Sequence, residues 1–219
     1  MSSLKLKHSG GNSVSIAAPS SNPASNRTLT VPSNADGTIL TNSTPGCILQ
    51  VKQTVYTDND VDISVPAHGS GQTGDYVTIT QLNCSITPTS SSNKILVSGF
   101  VFGEPSSSPH VYCFGYARTI SGGALTAFGR GTGSGQGMQV TSMMTQNYHG
   151  DDNDSTPTST ALPQYLDSPN TTSAITYHIQ IGRSESGNQT FHLNTSSTAN
   201  DYPYDENGLS MLTLMEVAA

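Results

Sequence analysis

The feature that most constrains the fold is a succession of short segments in which apolar and polar residues alternate, separated by turn-forming residues. Alternation with a period of two is typical of a strand with one buried face. Residues 174–181 are the clearest case, with Ile175, Tyr177, Ile179 and Ile181 expected to point inward. No stretch of ten or more residues repeats apolar residues at helical spacing. The sequence therefore predicts an all-β protein.

Between residues 46 and 219 the pattern predicts about eight to ten strands, with turns roughly every 8–12 residues, as in a jelly-roll-like β-sandwich. Between residues 94 and 102 both the odd-numbered and the even-numbered positions carry apolar residues, which predicts a central strand covered on both faces. Within residues 76–86 the apolar residues shift from odd-numbered to even-numbered positions, which predicts either a β-bulge or a bend between sheets. Residues 110–118 place aromatic residues on one face and small ones on the other, which predicts a strand at a sheet interface.

Residues 1–45 form a separate N-terminal β-ladder, in which short apolar runs alternate with polar turns up to Pro45 and Gly46. Strands this short cannot bury a core alone, since small isolated sheets are marginal in water. The ladder therefore needs apolar surface from elsewhere, most economically from copies of itself. The residues expected to provide this contact are Leu4, Leu6, Val14, Ile16, Leu29, Val31, Ile39 and Leu40.

Composition excludes several classes of function. The net charge is −7 and the 8 Lys and Arg residues are scattered, which argues against nucleic-acid binding. No apolar run approaches the roughly 18 residues that a membrane span requires, so no membrane insertion is expected. The N-terminus has no apolar core of signal-peptide length, because Leu4 and Leu6 alternate with lysines. We expect synthesis in the cytoplasm.

The cysteines are expected to be buried thiols. Cys47, Cys84 and Cys113 each lie in an apolar strand pattern, and their odd number and wide spacing argue against a disulfide framework. A zinc site would require a fourth ligand and a C-x-x-C spacing, neither of which the sequence has.

Two further sets of residues were considered as metal ligands. Asp58, Asp60 and Asp62 alternate, but calcium requires about six to eight oxygens, so a solvated turn is favoured. His178 and His192 alternate with the inward-pointing apolar residues, so each is expected on the polar side of its strand. The two histidines would share one face if those strands were neighbours. Two histidines without a third ligand are weak support for a metal site. We therefore expect neither a metal nor a cofactor.

Two predicted exposed loops, residues 148–163 and 200–208, carry the candidate receptor contacts. Tyrosine offers a large contact area with a polar tip at low entropic cost. The same tyrosines would serve equally well at a subunit interface, and both interpretations are kept. The acidic run at 151–154 is interpreted first as a loop held open by charge repulsion, with a receptor or metal contact as the functional alternative. The candidates are Tyr148, His149, Asp151, Asp152, Tyr202 and Tyr204.

Catalysis is not expected. Residues 133–135 read Gly-Ser-Gly without the G-x-S-x-G frame of a nucleophile elbow. The sequence has four glutamates and no tryptophan, whereas sugar-degrading sites commonly use aromatic platforms. A carboxylate pair for glycoside hydrolysis is a question of geometry that the sequence leaves open.

Two groups of stretches resemble proteins of bacteriophage particles. The first resembles a segment common near the start of tail-fibre and other virion proteins, especially of marine and cyanobacterial phages, and comprises residues 4–11, 27–32 and 36–41. The second resembles a companion module of such proteins and comprises residues 48–51, 85–97, 165–169, 176–179 and 212–216.

The resemblance implies a non-enzymatic structural protein located in the virion: a homotrimeric tail fibre or appendage. Residues 1–45 would trimerise and attach to other virion proteins, and residues 46–219 would form a head domain that contacts a host surface glycan or protein. The sequence departs from long fibres in having one ladder and no shaft repeats. A capsid decoration, cement or head-fibre protein is therefore the alternative, and a glycan-degrading tailspike is the third hypothesis.

Overall fold

The structure, a computed structural model, describes residues 3–17, 20–21, 44–68, 76–106, 111–133, 137–145, 157–184, 187–197 and 206–219. The chain divides into two compact units, residues 1–39 and residues 40–219. The described residues contain fourteen β-strands and one short 3-10 helix, which confirms the all-β prediction. Within them, no helix is long and apolar enough to cross a membrane.

In the first unit, β1 (Ser3–Lys7) and β2 (Ser13–Ala17) form an antiparallel hairpin. Its turn is closed by the amide of His8, which donates to the carbonyl oxygen of Asn12 at 2.7 Å. Gly11 has a φ of +98°, a backbone conformation that residues with a Cβ atom rarely adopt. The strands predicted at 4–7 and 14–16 are confirmed, whereas those predicted at 29–31 and 38–41 lie outside the described residues.

The second unit contains the remaining strands, and the 3-10 helix (Thr80–Leu82) lies between two of them. They are β3 (Ile48–Tyr56), β4 (Val61–Val65), β5 (Val77–Thr78), β6 (Cys84–Ile86), β7 (Lys94–Pro105), β8 (Val111–Ile120), β9 (Thr126–Phe128), β10 (Ser142–Thr145), β11 (Thr158–Asp167), β12 (Ile175–Arg183), β13 (Gln189–Leu193) and β14 (Ser210–Val217).

These strands form two antiparallel sheets. The first has the order β3-β14-β7-β13-β4, with β11 also paired to β7. The second has the order β10-β8-β12-β5, with β6 also paired to β12 and β9 to β8. The predicted β-sandwich is confirmed, and its jelly-roll arrangement stays a prediction.

One apolar core lies between the sheets. Ile175, Tyr177, Ile179 and Ile181 of β12 are fully buried, as the alternation of their segment predicts. The aromatic residues of β8 are also fully buried. One of them, Phe114, packs edge-to-face against Phe191 of the other sheet, with 6.1 Å between the ring centroids. Burying each such side chain stabilises the fold by about 1.5–3 kcal/mol. The sandwich thus buries a core of its own.

Residues 76–86 contain a helical turn where the sequence changes parity. β5 ends at Thr78, the 3-10 helix follows, and β6 begins at Cys84. Both strands pair with β12, so the predicted alternative of a bend between sheets is wrong. The irregularity lies within one sheet edge, and the turn returns Leu82 and Cys84 to the core.

The described residues bury one face of residues 94–102 fully and the other only partly, so the predicted coverage of both faces stays a prediction. β7 is central, because it pairs with β11, β13 and β14. Ile95, Val97 and Val101 point into the core and are fully buried. Leu96 and Phe100 lie on the opposite face and are only half-buried.

The sandwich has two distinct ends. The amide of Gly46 donates to the carbonyl oxygen of Ala218 at 2.9 Å, and the amide of Ala218 donates to the carbonyl oxygen of Cys47 at 2.9 Å. The chain therefore joins the sandwich from the N-terminal segment beside the end of β14, and we call this the near end. At the opposite or far end, β7 stops at Pro105 and β8 starts at Val111.

Candidate assembly and contact surfaces

The N-terminal hairpin has one apolar face. Leu4 pairs with Ile16, and Leu6 pairs with Val14, so all four side chains project to the same side. They are between 49% and 70% exposed. A two-stranded sheet with an uncovered apolar face is marginal in water, so this face requires a cover. Four of the eight residues predicted to mediate attachment are thus brought together.

The other predicted contact residues lie outside the described part of the chain. Among the attachment residues these are Leu29, Val31, Ile39 and Leu40. Among the receptor candidates they are Tyr148, His149, Asp151, Asp152, Tyr202 and Tyr204.

The described residues that flank the receptor candidates lie at the far end. β10 ends where Thr145 pairs with Val111, and β11 begins where Thr158 pairs with Gly103. The end of β10 and the start of β11, which flank residues 148–152 in the sequence, therefore both lie at the far end.

The connection that contains residues 202 and 204 is closed at its base by Asn194. This residue adopts a φ of +64° and is fully buried. Its Nδ2 donates to the carbonyl oxygens of Tyr56 at 2.9 Å and Asp58 at 3.0 Å, and its Oδ1 accepts from Ser210 Oγ at 2.6 Å. The amide of Gly208 donates to the Asn194 carbonyl oxygen at 3.0 Å. All of its side-chain hydrogen-bonding groups thus hold the loop base together.

The three alternating aspartates do not converge on a shared point. Tyr56 Oη donates to Asp60 Oδ1 at 2.7 Å, and this hydrogen bond raises the pKa of Tyr56 to about 12. His192 Nδ1 donates to Asp62 Oδ1 at 2.6 Å. Among the described residues, no group of three or more His, Cys, Asp and Glu side chains is arranged to hold a metal ion.

The two histidines considered as a pair belong to different sheets. His178 lies on β12 and His192 on β13, so the two strands are not neighbours and the condition for a shared polar face is not met. His178 Nδ1 donates to Asn83 Oδ1 at 2.7 Å. Burial lowers the pKa of His178, which favours a neutral imidazole.

The cysteines are free thiols. Cys84 and Cys113 are buried as predicted, whereas Cys47 is half-buried. Burial raises the pKa of Cys113 to about 11, so its thiol stays protonated at neutral pH and is a poor nucleophile.

Glu216 is a buried carboxylate whose role the sequence did not reveal. Its Oε1 accepts from the Thr89 amide at 2.6 Å, from Thr89 Oγ1 at 2.8 Å and from Asn93 Nδ2 at 2.7 Å. Its Oε2 accepts from Gln50 Nε2 at 2.6 Å. Burial alone raises the pKa of Glu216, but these hydrogen bonds outweigh it and hold the pKa below its ordinary value. The carboxylate fastens the connection between β6 and β7 to β14.

Two other buried carboxylates are also engaged by structural partners. Asp167 forms an ion pair with Arg118 and accepts a hydrogen bond from Tyr177 Oη at 2.8 Å. Glu104 Oε2 accepts from the amide of Ser197 at 2.7 Å. These contacts join β11 to the second sheet and hold the start of the connection after β13.

No protein-family model and no curated protein sequence matches this chain. Solved structures that resemble it include infectious bursal disease virus Gt strain, at 13% identity and a TM-score of 0.38, covering 95% of this chain and 48% of that one. The Gx strain structure gives 12% identity and a TM-score of 0.36, covering 94% and 46%. A mutant VP2 protein of the same virus, from derived T=1 particles, gives 13% and 0.36, covering 97% and 44%.

This chain thus spans just under half the length of these viral chains. The similarity is too low to support a statement about function. The class that the fold and surfaces define is a two-sheet β-sandwich preceded by a hairpin with an uncovered apolar face.

Proposed function

We propose that this chain is a non-enzymatic structural protein of a phage particle, a homotrimeric tail fibre or appendage that attaches to other virion proteins through residues 1–45. The observation that carries the proposal is the uncovered apolar face of the hairpin, formed by Leu4, Leu6, Val14 and Ile16. Such a face has a physical reason to associate with copies of itself, and it occurs in the segment that resembles virion attachment sequences.

The polarity of the sandwich supports a division between attachment and host contact. The attachment segment joins the sandwich at the near end, where Gly46 pairs with Ala218. β10 ends and β11 begins at the far end, and Tyr148, His149 and the adjacent aspartates come between these two strands in the sequence. A host surface glycan or protein would be contacted there, away from the anchored end.

The engaged carboxylates favour binding over catalysis. Glu104, Asp167 and Glu216 are buried, and each accepts hydrogen bonds from groups that hold the fold together. A glycosidase requires a carboxylate pair that is free to reach substrate. In the proposed function, these three residues stabilise the sandwich.

The oligomer is tested by light scattering on the full chain. Changing the cross-strand pair Leu6 and Val14 to lysine places two charges on the apolar face. Since each lost apolar contact is worth about 1.5–3 kcal/mol, the trimer should weaken by more than about 100-fold. The matched control, Ser13→Glu with Ser15→Glu, also adds two charges but to the opposite face, across from Lys7 and Lys5, and should leave the trimer intact.

A wild-type chain that is monomeric at every concentration would contradict the trimer, and equal loss in both variants would contradict the role of the apolar face.

A capsid decoration protein is the second candidate, because the sequence has one ladder and no shaft repeats. Antibody labelling of intact particles separates the two locations. Label at the tail supports the appendage, whereas even decoration of the capsid shell would overturn it.

A further inference from the structure

The outer face of the first sheet is apolar across four strands. In one row Val51, Met215, Leu96 and Leu166 lie side by side, because each pairs with the next. Val51 is 53% exposed and Leu166 is 46% exposed, while the two residues between them are half-buried. Side chains of this size on an uncovered sheet lose the stabilisation that burial would give.

A second apolar row runs parallel to the first. It comprises Val55, Met211, Phe100 and Ala161, again joined by pairing across the strands. We call the two rows, with the residues between them, the outer face. Both the odd-numbered and the even-numbered positions of β7 are apolar, and the described part of the chain leaves Leu96 and Phe100, which face outward, only half-buried.

The row between the two apolar rows is polar, and two of its residues are joined by a hydrogen bond within the face. It comprises Gln53, Thr213 and Ser98. Gln53 Nε2 donates to Thr213 Oγ1 at 2.8 Å and lies 3.7 Å from Met211 Sδ. A polar group that already has a partner can be covered with little loss of free energy. Covering Gln53 and Thr213 would therefore leave this hydrogen bond in place.

We propose that the outer face is a contact surface between copies of this chain. None of the residues in the three rows is charged, although the chain has a net charge of −7. Copies of an acidic protein repel one another unless they meet through uncharged surface, whereas a foreign partner of an acidic protein is usually steered by opposite charge. The outer face fits a copy.

The size of the face indicates that it acts together with the hairpin. Strand spacing and rise give roughly 400 Å² on each copy, or about 800 Å² between two copies. Stable interfaces usually bury about 1,200 Å² or more, so the outer face alone gives weak association. Copies already held by their hairpins meet at high effective concentration, which makes a weak second contact effective. The inference therefore deepens the proposed function and rests on its oligomeric part.

Methionine oxidation of the full chain tests the proposal. Met211 and Met215 lie in the outer face, and Met143, which is 52% exposed on β10, is an internal reference. Light scattering first gives the protein concentration at which the oligomer dissociates. Samples at protein concentrations above and below that value are then treated with the same concentration of hydrogen peroxide, and methionine oxidation is followed by peptide mass spectrometry. In the oligomer, the rates at Met211 and Met215 relative to Met143 should fall at least about threefold.

A pair of variants provides the matched control. Val51→Lys adds a charge to the outer face, and Leu125→Lys adds the same charge at a residue that is 48% exposed in the turn after β8. Val51→Lys should weaken the oligomer at least about tenfold and abolish the concentration dependence of Met215 oxidation, whereas Leu125→Lys should behave as wild type.

The outcomes distinguish the two proposals. If an oligomer forms but the relative oxidation rates do not change with concentration and both variants behave alike, the outer face is not the contact, and the proposed function stands. If the wild-type chain is monomeric throughout, both proposals are overturned.

Discussion

At the scale of single residues, buried polar groups fasten the connections of this sandwich. Glu216 binds the segment between β6 and β7 through donors from Thr89 and Asn93. Asn194 holds the residues after β3 and the start of β14 through its side-chain amide. A buried polar group that loses its partners is strongly unfavourable. Each of these residues is therefore a specific point at which stability can be tested.

Replacing Glu216 by glutamine should lower the free energy of unfolding at pH 7 by about 2–3 kcal/mol, because charged hydrogen bonds are replaced by fewer neutral ones. The folded pKa of Glu216 lies below its ordinary value of 4.5. Its ionised form therefore contributes stability above that value, and the contribution is lost as the pH falls through the folded pKa. The difference between wild type and variant should shrink below about pH 4.

Urea unfolding at pH 7 and at intervals down to pH 3 would measure this difference. Glu206→Gln is the control, because Glu206 is exposed and its loss should change stability by less than about 0.5 kcal/mol. A Glu216→Gln variant as stable as wild type at neutral pH would contradict the role of the buried carboxylate.

At the scale of the elements, the two sheets approach most tightly where the structure requires a glycine. A Cβ added to Gly99 of β7 would lie 2.8 Å from Ile179 Cδ1 and 3.4 Å from Tyr116 Cε1. A glycine in a central strand often marks such a close approach. It lets β7 pack directly against the side chains of β8 and β12.

Gly99→Ala should therefore overpack the core and lower the free energy of unfolding by about 1–3 kcal/mol. Gly133→Ala is the matched control, because an added Cβ there has no neighbour within 4 Å. Thermal and urea unfolding of both variants would measure the effect. Equal stability of Gly99→Ala and Gly133→Ala would show that the sheets can move apart at no cost.

The elements with clean alternation could be predicted from the sequence. The strand expected at 61–65 is β4, and the inward residues of β12 are those its alternation indicated. The helical turn at residues 80–82 could not, because one turn has no period of its own. A change of parity looks the same whether a bulge, a bend or a helical turn causes it.

Hydrogen-bond partners that are distant along the chain could not be predicted from the sequence, for a different reason. The donors to Glu216 from Asn93 and Gln50 are 123 and 166 residues away along the chain, so no local pattern links them. His178 and His192 have similar parity patterns, but only the sheet order shows that they lie apart. The alternation of β7 showed that both faces are apolar without showing what covers the outer one.

At the scale of the whole molecule, the near and far ends of the sandwich have different surroundings. At the near end, Gly46 is hydrogen-bonded to Ala218. At the far end, β12 ends at Arg183 and β13 begins at Gln189. If the proposed function holds, additions at the two ends should affect different steps of infection.

A bulky domain fused after Ala219 should reduce incorporation into particles, because it lies where the attachment segment joins the sandwich. The same domain inserted between Ser184 and Gly187 should leave incorporation unchanged and reduce adsorption to host cells. Immunoblots of purified particles and adsorption assays would measure the two effects. The opposite assignment of defects would contradict the proposed orientation.

The pairing of β3 with β14 also has a mechanical consequence. Their antiparallel register runs from Ser210 opposite Tyr56 to Val217 opposite Ile48. Tension applied between Gly46 and Ala218 would open this ladder from one end, breaking its hydrogen bonds one after another. Tension applied between Gly46 and the far end would instead load the ladder lengthwise, so that many hydrogen bonds resist together. The β3–β14 ladder should therefore resist tension between the two ends of the sandwich better than tension that separates Gly46 from Ala218.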